Sequence, residues 1–156
     1  MNADAVGRLL TERGETIAVA ESSAGGLISA ALLSVAGASA YFRGGVVTYT
    51  GVSRVALLGI SDEMMEGIRA STEQYALLLA RAVRELLGTT WGLAETGATG
   101  PTGNRYGDAA GHACFAVAGP VELAIMLETG ANQRERNMTA FAEGALNLLQ
   151  SALRTA

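Results

Sequence analysis

The chain has 156 residues, of which 49% are hydrophobic and 17% are charged, with a formal net charge of −4. This composition predicts one folded domain with a substantial core and excludes a disordered chain. All eleven basic residues are arginine and they form no cluster, which excludes nucleic-acid binding as the main role and also excludes any lysine base or Schiff base.

The hydrophobic pattern predicts helices and strands that alternate along the chain. In chain order they are helix 4–13, strand 16–20, helix 25–35, strand 46–50, helices 53–58 and 62–69, helix 71–87, strands 91–94, 112–118 and 121–128, and helix 133–153. Ser71 and Gln74 form a capping box, and Gly119-Pro120 joins the last two strands as a hairpin. We therefore predict a three-layer α/β/α domain over residues 1–156, with a mixed, mostly parallel sheet.

A turn rich in serine and glycine follows the first predicted strand. Its sequence is Glu21-Ser22-Ser23-Ala24-Gly25-Gly26, and a helix comes next, an arrangement that directs a helix N-terminus at an anion. The glycine spacing matches neither the Walker nor the dinucleotide-binding motif. Ser22 or Ser23 is therefore a helix cap, or the turn binds an anion.

A long glycine-rich connection separates the strands at 91–94 and 112–118. A hairpin needs two to five residues, whereas this connection takes about fifteen. It contains Gly97, Gly100, Gly103 and Gly107 with Pro101 among them. Small residues leave backbone N–H groups exposed, and successive exposed amides bind anions. We predict a ligand-binding loop, with a mobile surface loop as the alternative.

Polar side chains follow three of the predicted strands, at the edge where open α/β sheets bind ligands. These side chains predict a pocket for a phosphate and a sugar, with arginines pairing the phosphate. The strand ends carry Glu21, Ser22 and Ser23, then Tyr49, Thr50 and Arg54, then Glu95 and Thr96, and the last helix begins near Asn132, Arg134 and Arg136.

Four segments resemble motifs of the CinA C-terminal domain family, whose characterised activity is deamidation of nicotinamide mononucleotide. Residues 21–26 resemble its AES(C/S)TGG motif, 44–50 its G-x-V-T-Y-S strand, 97–101 its GIAGP loop and 130–136 its GDR…R segment. The motifs occur in the family's order and spacing along almost the whole chain. The resemblance implies the family's fold and an amidohydrolase, without a cofactor, that acts on a small phosphorylated nucleotide.

The resemblance also implies a serine nucleophile at Ser22 and a lysine at the position of Arg54. Arginine has a pKa above about 12 and does not accept a proton near neutrality, so Arg54 is predicted to bind an anion instead. A carboxylate near Ser22 is then the candidate base. The predicted catalytic residues are Ser22, Glu21, Glu95 and Tyr49, and the predicted substrate-binding residues are Ser23, Gly25, Gly26, Arg54, Thr96, Gly97, Thr99, Gly100 and Arg136.

Two alternatives to deamidation remain open at the level of sequence. The missing lysine favours a paralogue that binds a nucleotide without turnover. The polar loop favours instead a different hydrolytic chemistry that uses Glu21 and Glu95. A site that is losing its activity has no reason to acquire new polar residues. The residues in question are Glu95, Asn104, Arg105, Tyr106 and Asp108.

The remaining features concern metals, location and assembly. Glu21, Glu95 and Asp108 have no spacing that demands a metal ion, so none is predicted.

The single histidine, His112, is expected at a loop edge, and the single cysteine, Cys114, in the core of a protein from a reducing compartment. No signal peptide or membrane span is evident, which predicts a cytoplasmic protein. The low charge content predicts a homo-oligomer.

Overall fold

The computed structural model describes residues 1–156 and contains five α-helices and five strands. In chain order they are α1 (Ala3–Arg13), β1 (Ile17–Glu21), α2 (Leu27–Leu33), β2 (Phe42–Val47), α3 (Gly51–Leu58), α4 (Glu73–Leu87), β3 (Trp91–Ala98), β4 (His112–Ala118), β5 (Leu123–Glu128) and α5 (Arg134–Thr155). No helix combines the length and apolarity that a membrane crossing requires.

The five strands form one mixed sheet in the order β2-β1-β3-β4-β5. β1 pairs in parallel with β2 and β3, whereas β4 pairs antiparallel with β3 and β5. Four of the five strands therefore point in one direction and β4 alone opposes them. The predicted mixed sheet is confirmed, and it is mostly parallel in strand direction although half of its pairings are antiparallel.

Helices cover both faces of the sheet, which confirms the three-layer α/β/α architecture. Ile17 and Val19 of β1 pack into a core with α1, α2 and α5. Ala18 and Ala20, which point to the opposite face, pack into a second core with α4 and the end of α3. The period of two along β1 thus divides one buried strand between two cores.

Glycines inside the strands let helices approach the sheet closely. A Cβ at Gly92 of β3 would lie 2.0 Å from the carbonyl oxygen of Ala80 in α4, and a Cβ at Gly45 of β2 would lie 2.3 Å from Ser29 Oγ in α2. The sequence pattern predicted Gly44 and Gly45 as the opening of a strand over 46–50. That prediction was wrong: β2 spans Phe42–Val47, because the missing side chains make room for helices within the strand.

The segment before α4 also differs from the prediction in two respects. The helix expected over 62–69 is only a single 3₁₀ turn, Glu63–Met65. Helix α4 is capped by Thr72, whose side chain accepts a hydrogen bond from the Tyr75 N–H at 3.1 Å, and not by Ser71. Ser71 instead has a left-handed backbone with φ of 61°. A turn at 66–67 follows the 3₁₀ turn, and the Ser71 N–H donates to Thr96 Oγ1 of β3 at 3.1 Å, which keeps Ser71 out of the helix.

Candidate functional site

Two adjoining cavities open at the end of the sheet where β1 and β3 finish. The larger, here called the cleft, has a volume of about 670 Å³, and the smaller, here called the side pocket, has about 280 Å³. Tyr49, Gly97 and Asn104 line both. The three segments 21–26, 49–54 and 95–108 therefore converge on one place, as the pattern of polar strand ends indicated. Ser22 lines the cleft and Ser23 lines the side pocket.

The carboxylate of Glu21 organises the turn that carries both serines. Glu21 is fully buried, and it accepts hydrogen bonds from the N–H groups of Gly26, Ile28 and Ser29 at 3.0, 3.0 and 2.8 Å. These are the orphan amides at the start of α2, whose N-cap is Gly26 without any side-chain cap. Neither serine caps the helix, contrary to one of the two interpretations of the turn.

A second buried carboxylate, that of Glu95 in β3, accepts hydrogen bonds from residues 22–24 of the turn. Its Oε2 accepts the N–H groups of Ser22 and Ala24 at 2.8 and 2.9 Å. Its Oε1 accepts the hydroxyl of Ser23 at 2.5 Å. Complete burial raises the pKa of Glu95, and the hydrogen bond from Ser23 and the two from the backbone oppose that rise. Glu95 therefore faces Ser23, whereas the sequence-based prediction made it a base for Ser22.

The two glutamates change the predicted anion site. The turn was expected to offer free amides at Ser23, Gly25 and Gly26 to a phosphate. In the structure, the amide of Gly26 binds Glu21, and that of Gly25 binds the Ser22 carbonyl at 3.1 Å. Gly25 and Gly26 line neither cavity. The chain's own carboxylates occupy the positively polarised end of α2, so this prediction is corrected.

Three arginines give the cleft its charge. Arg54, Arg69 and Arg105 line it, and no acidic side chain does. Arg54 donates to the carbonyl of Ile60 at 3.3 Å and forms an ion pair with Asp62. Arg105 has no carboxylate partner, and its guanidinium donates to the hydroxyl of Tyr106 at 2.9 Å. Arg105 is thus the cleft arginine whose charge is free for a ligand.

The polar loop of residues 104–108 is held in place against the cleft. Asp108 accepts two hydrogen bonds from Arg69, at 2.8 and 3.3 Å, and one from Asn104 at 2.8 Å. These hydrogen bonds, that from Arg69 above all, lower the pKa of Asp108. The guanidinium carbons of Arg69 and Arg105 each lie 5.0 Å from the ring centre of Tyr106, within cation–π range. These contacts hold the loop against the cleft, where Asn104, Arg105 and Tyr106 form part of the wall.

Arg69 and Ser71 line the cleft, although the sequence pattern did not predict either of them as a site residue. The pattern assigned Arg69 to a helix and Ser71 to a cap, and no local signal marked either for the cleft. Thr96, which was predicted, lies beside them, buried at the wall of the cleft. Its Oγ1 accepts the Ser71 N–H at 3.1 Å.

Of the two arginines at the start of α5, only Arg134 lines a cavity of the site, and Arg136 does not. Arg134 lines the side pocket, donating to the Gly100 carbonyl at 2.6 Å and to the Tyr49 hydroxyl at 3.2 Å. Arg136, which the resemblance favoured for ligand binding, is exposed, lines neither cavity and forms no ion pair. Two positions along a helix turn a side chain by about 200°, so only one of them faces the pocket. Thr99 and Gly100, which were predicted to bind substrate, line the side pocket.

His112 sits buried behind the cleft with hydrogen-bond acceptors on both sides of its ring. Its Nδ1 lies 2.5 Å from a Glu128 carboxylate oxygen, and its Nε2 lies 2.7 Å from the Ser71 carbonyl. Asp108 is 3.6 Å from Nε2. Burial alone would lower the pKa of His112, but these partners outweigh it and raise the pKa. With an acceptor at each nitrogen, the ring fits the site as an imidazolium.

This arrangement predicts how stability depends on pH. The pKa of His112 is raised in the folded protein, so its contribution is complete below the unfolded value of about 6.5. That contribution is lost as the pH rises through the folded pKa. We expect the free energy of unfolding, measured in urea, to fall as the pH rises from about 6.5 through the folded pKa, and this part of the fall to vanish in His112→Gln. A His112→Gln variant that retained the same slope would assign it to another group.

No group of three histidine, cysteine, aspartate or glutamate side chains is arranged to hold a metal ion. Glu21 and Glu95 bind backbone amides, and Asp108 pairs with Arg69. Cys114 is buried in β4, and burial raises the pKa of its thiol to about 12. The thiol is therefore protonated at neutral pH and is no nucleophile.

Residues 1–153 match the family model of the CinA C-terminal domain. A CinA-like protein of Gloeobacter violaceus is 39% identical over 150 residues, which cover 95% of this chain and 35% of that protein. One of Anaeromyxobacter dehalogenans is 37% identical over 97% of this chain and 37% of its own length. The chain thus spans little more than a third of the length of these relatives.

Solved structures share the fold along the whole chain. A CinA-superfamily protein of Klebsiella pneumoniae superposes with a TM-score of 0.92 at 25% identity, covering 99% of this chain and 96% of that one. A competence/damage inducible protein of Agrobacterium tumefaciens gives a TM-score of 0.86 at 28% identity, with the same coverage of 99% and 96%.

Proposed function

The chain belongs to the CinA C-terminal domain family, and from that premise we propose that it is an amidohydrolase acting on a small phosphorylated nucleotide such as nicotinamide mononucleotide. The reaction is hydrolysis of the amide to the acid and ammonia. The observation that carries the proposal is a cleft lined by three arginines and no carboxylate, beside two adjacent serines.

The cleft has the size and charge that such a ligand requires. Its volume of about 670 Å³ lies within the range of about 300–1,000 Å³ that small-molecule sites occupy. Arg105 supplies an unpaired guanidinium for a phosphate, and the Tyr106 ring beside it offers a flat surface. Thr50 and Thr96 add hydroxyl groups that suit a ribose. The amide then lies toward the serines, at the junction of the cleft with the side pocket.

A comparison of two ligands tests whether the cleft binds phosphate. We expect nicotinamide mononucleotide to bind at least ten-fold more tightly than nicotinamide riboside, which lacks the phosphate. A charge-assisted hydrogen bond contributes about 1.5–3 kcal/mol, and each 1.4 kcal/mol is a factor of ten in affinity. Isothermal titration calorimetry gives both dissociation constants. Equal affinities would show that the arginines do not bind a phosphate.

One observation favours a second candidate, a protein that binds the nucleotide without turnover. The hydroxyl of Ser22, at the family's nucleophile position, makes no hydrogen bond, and Arg54, at the family's lysine position, is paired with Asp62. Ser22 therefore has no base. Ammonia release during incubation with nicotinamide mononucleotide distinguishes the two candidates, because the second predicts binding with none.

A further inference from the structure

The turn after β1 presents two serines, and only one of them contacts a possible base. Ser23 Oγ lies 2.5 Å from Glu95 Oε1, whereas the hydroxyl of Ser22 has no hydrogen-bond partner. Ser23 lines the side pocket beside Thr99, Gly100 and Arg134. Ser23 is nearly buried, and the side pocket is the cavity that it lines.

We propose that Ser23, with Glu95 as its general base, is the nucleophile of the amide hydrolysis, and that the side pocket receives the amide. This inference rests on the proposed function, because it assigns the residues that carry out that reaction. It places the nucleophile one residue after the position that the family resemblance implies.

The geometry holds Glu95 in the orientation that a base requires. Its Oε2 is fixed by the N–H groups of Ser22 and Ala24, so Oε1 is directed at the Ser23 hydroxyl. A general base must lie within hydrogen-bond reach of the oxygen whose proton it takes, and Oε1 is in hydrogen-bond contact with the Ser23 hydroxyl. Burial also raises the pKa of the Glu95 carboxyl, which makes the carboxylate a stronger base than an exposed one.

Charge in the side pocket suits the developing oxyanion. Arg134 is the only charged side chain that lines this pocket, and it is anchored by the Gly100 carbonyl at 2.6 Å. A fixed positive charge stabilises the negative oxygen that forms when an amide carbonyl is attacked. Arg54 is not a substitute base for Ser22, because a guanidinium keeps its proton at neutral pH.

The chemical step balances with water as the second reactant. Ser23 Oγ forms a bond to the amide carbon as its proton passes to Glu95, and the carbonyl electrons move to oxygen. The tetrahedral intermediate collapses, the C–N bond breaks, and Glu95 returns the proton so that ammonia leaves. Water then attacks the acyl ester with Glu95 again taking a proton, which is returned to Ser23 as the carboxylic acid departs.

Covalent labelling tests the assignment independently of the substrate. We expect diisopropyl fluorophosphate to label the wild-type protein at Ser23, located by fragmenting the peptide that contains both serines. Ser23→Ala should abolish the labelling, and Glu95→Gln should slow it about a hundred-fold or more, as loss of a general base does. Ser34→Ala, an exposed serine at the end of α2, is the matched control and should label at the wild-type rate. Labelling at Ser22, or no labelling of the wild type, would overturn the assignment.

Substrate kinetics provide the second measurement. Ser23→Ala should lower ammonia release from nicotinamide mononucleotide at least a hundred-fold, and by more than Ser22→Ala does, while calorimetric affinity for the nucleotide changes by less than about two-fold. The reverse order of the two variants would overturn the inference. If nicotinamide mononucleotide does not bind the wild type, the proposed function fails, whereas labelling at Ser23 would still establish the activated serine.

Discussion

Replacing Glu21 by alanine is expected to lower the free energy of unfolding by about 3–5 kcal/mol, because each buried donor that is left without an acceptor costs about 1–3 kcal/mol. The carboxylate accepts three backbone N–H groups at the start of α2, and it is fully buried. Alanine leaves those donors without acceptors and opens a cavity where no other side chain caps the helix. The loop that carries both serines loses its support at the same time.

Urea unfolding followed by circular dichroism measures this effect, and the melting temperature should fall by roughly 6–20 °C. Glu66→Ala removes an exposed carboxylate that makes no side-chain hydrogen bond, and it should leave the midpoint unchanged. Glu21→Gln should be intermediate, because its NH₂ group faces an N–H that the carboxylate accepted. A Glu21→Ala protein as stable as the Glu66→Ala control would show that the start of α2 does not depend on this carboxylate.

Reversing the charge of Arg105 is expected to weaken binding of nicotinamide mononucleotide about a hundred-fold or more. Arg105 is the cleft arginine without a carboxylate partner, whereas Arg54 and Arg69 are paired with Asp62 and Asp108. Its loss removes a charge-assisted bond of about 1.5–3 kcal/mol, and a glutamate adds repulsion to the phosphate. Arg105→Ala should therefore have a smaller effect, about ten-fold.

Arg154→Glu makes the same change of net charge far from the cleft. Arg154 lies in the last turn of α5, about 30 Å from Arg134 at a rise of about 1.5 Å per residue. Its variant should bind the nucleotide as the wild type does in calorimetry. Neither reversal should weaken the binding of nicotinamide riboside, since it has no phosphate and its pyridinium ring is cationic. Equal losses in the Arg105 and Arg154 variants would mean that only the overall charge matters.

The acidic and the basic side chains of the site have different roles. The buried glutamates at 21 and 95 accept the amides of Ser22, Ala24 and Gly26, and so they hold the turn that carries the two serines. Arg54, Arg69 and Arg105 line the cleft. A phosphate placed at the start of α2 would meet the Glu21 carboxylate, so we expect a phosphate to bind near Arg105 instead.

Most of the elements and their order could be predicted from the sequence alone, because they depend on local pattern. The exception is the helix expected over 62–69, which is a single 3₁₀ turn. Apolar runs such as His112–Ala118, and a helix stop such as Gly14 with its left-handed φ of 64°, mark their own places in the chain. The polar strand ends likewise indicated one cleft, since strands of one direction finish at one edge of a sheet. The absence of lysine from the composition is enough by itself to exclude a lysine base.

Contacts between distant segments decided the rest. Glu95 is 72 residues from Ser23, and only the pairing of β1 with β3 brings the two together and turns the carboxylate toward Ser23 rather than Ser22. The same pairing lets Glu95 accept the amides of Ser22 and Ala24, whereas Glu21 accepts the Gly26 amide within the turn itself. Arg134 faces the side pocket and Arg136 does not because of the rotation at which α5 packs on the sheet. Hydrogen-bond partners and helix rotation are properties of packing, and no local pattern encodes them.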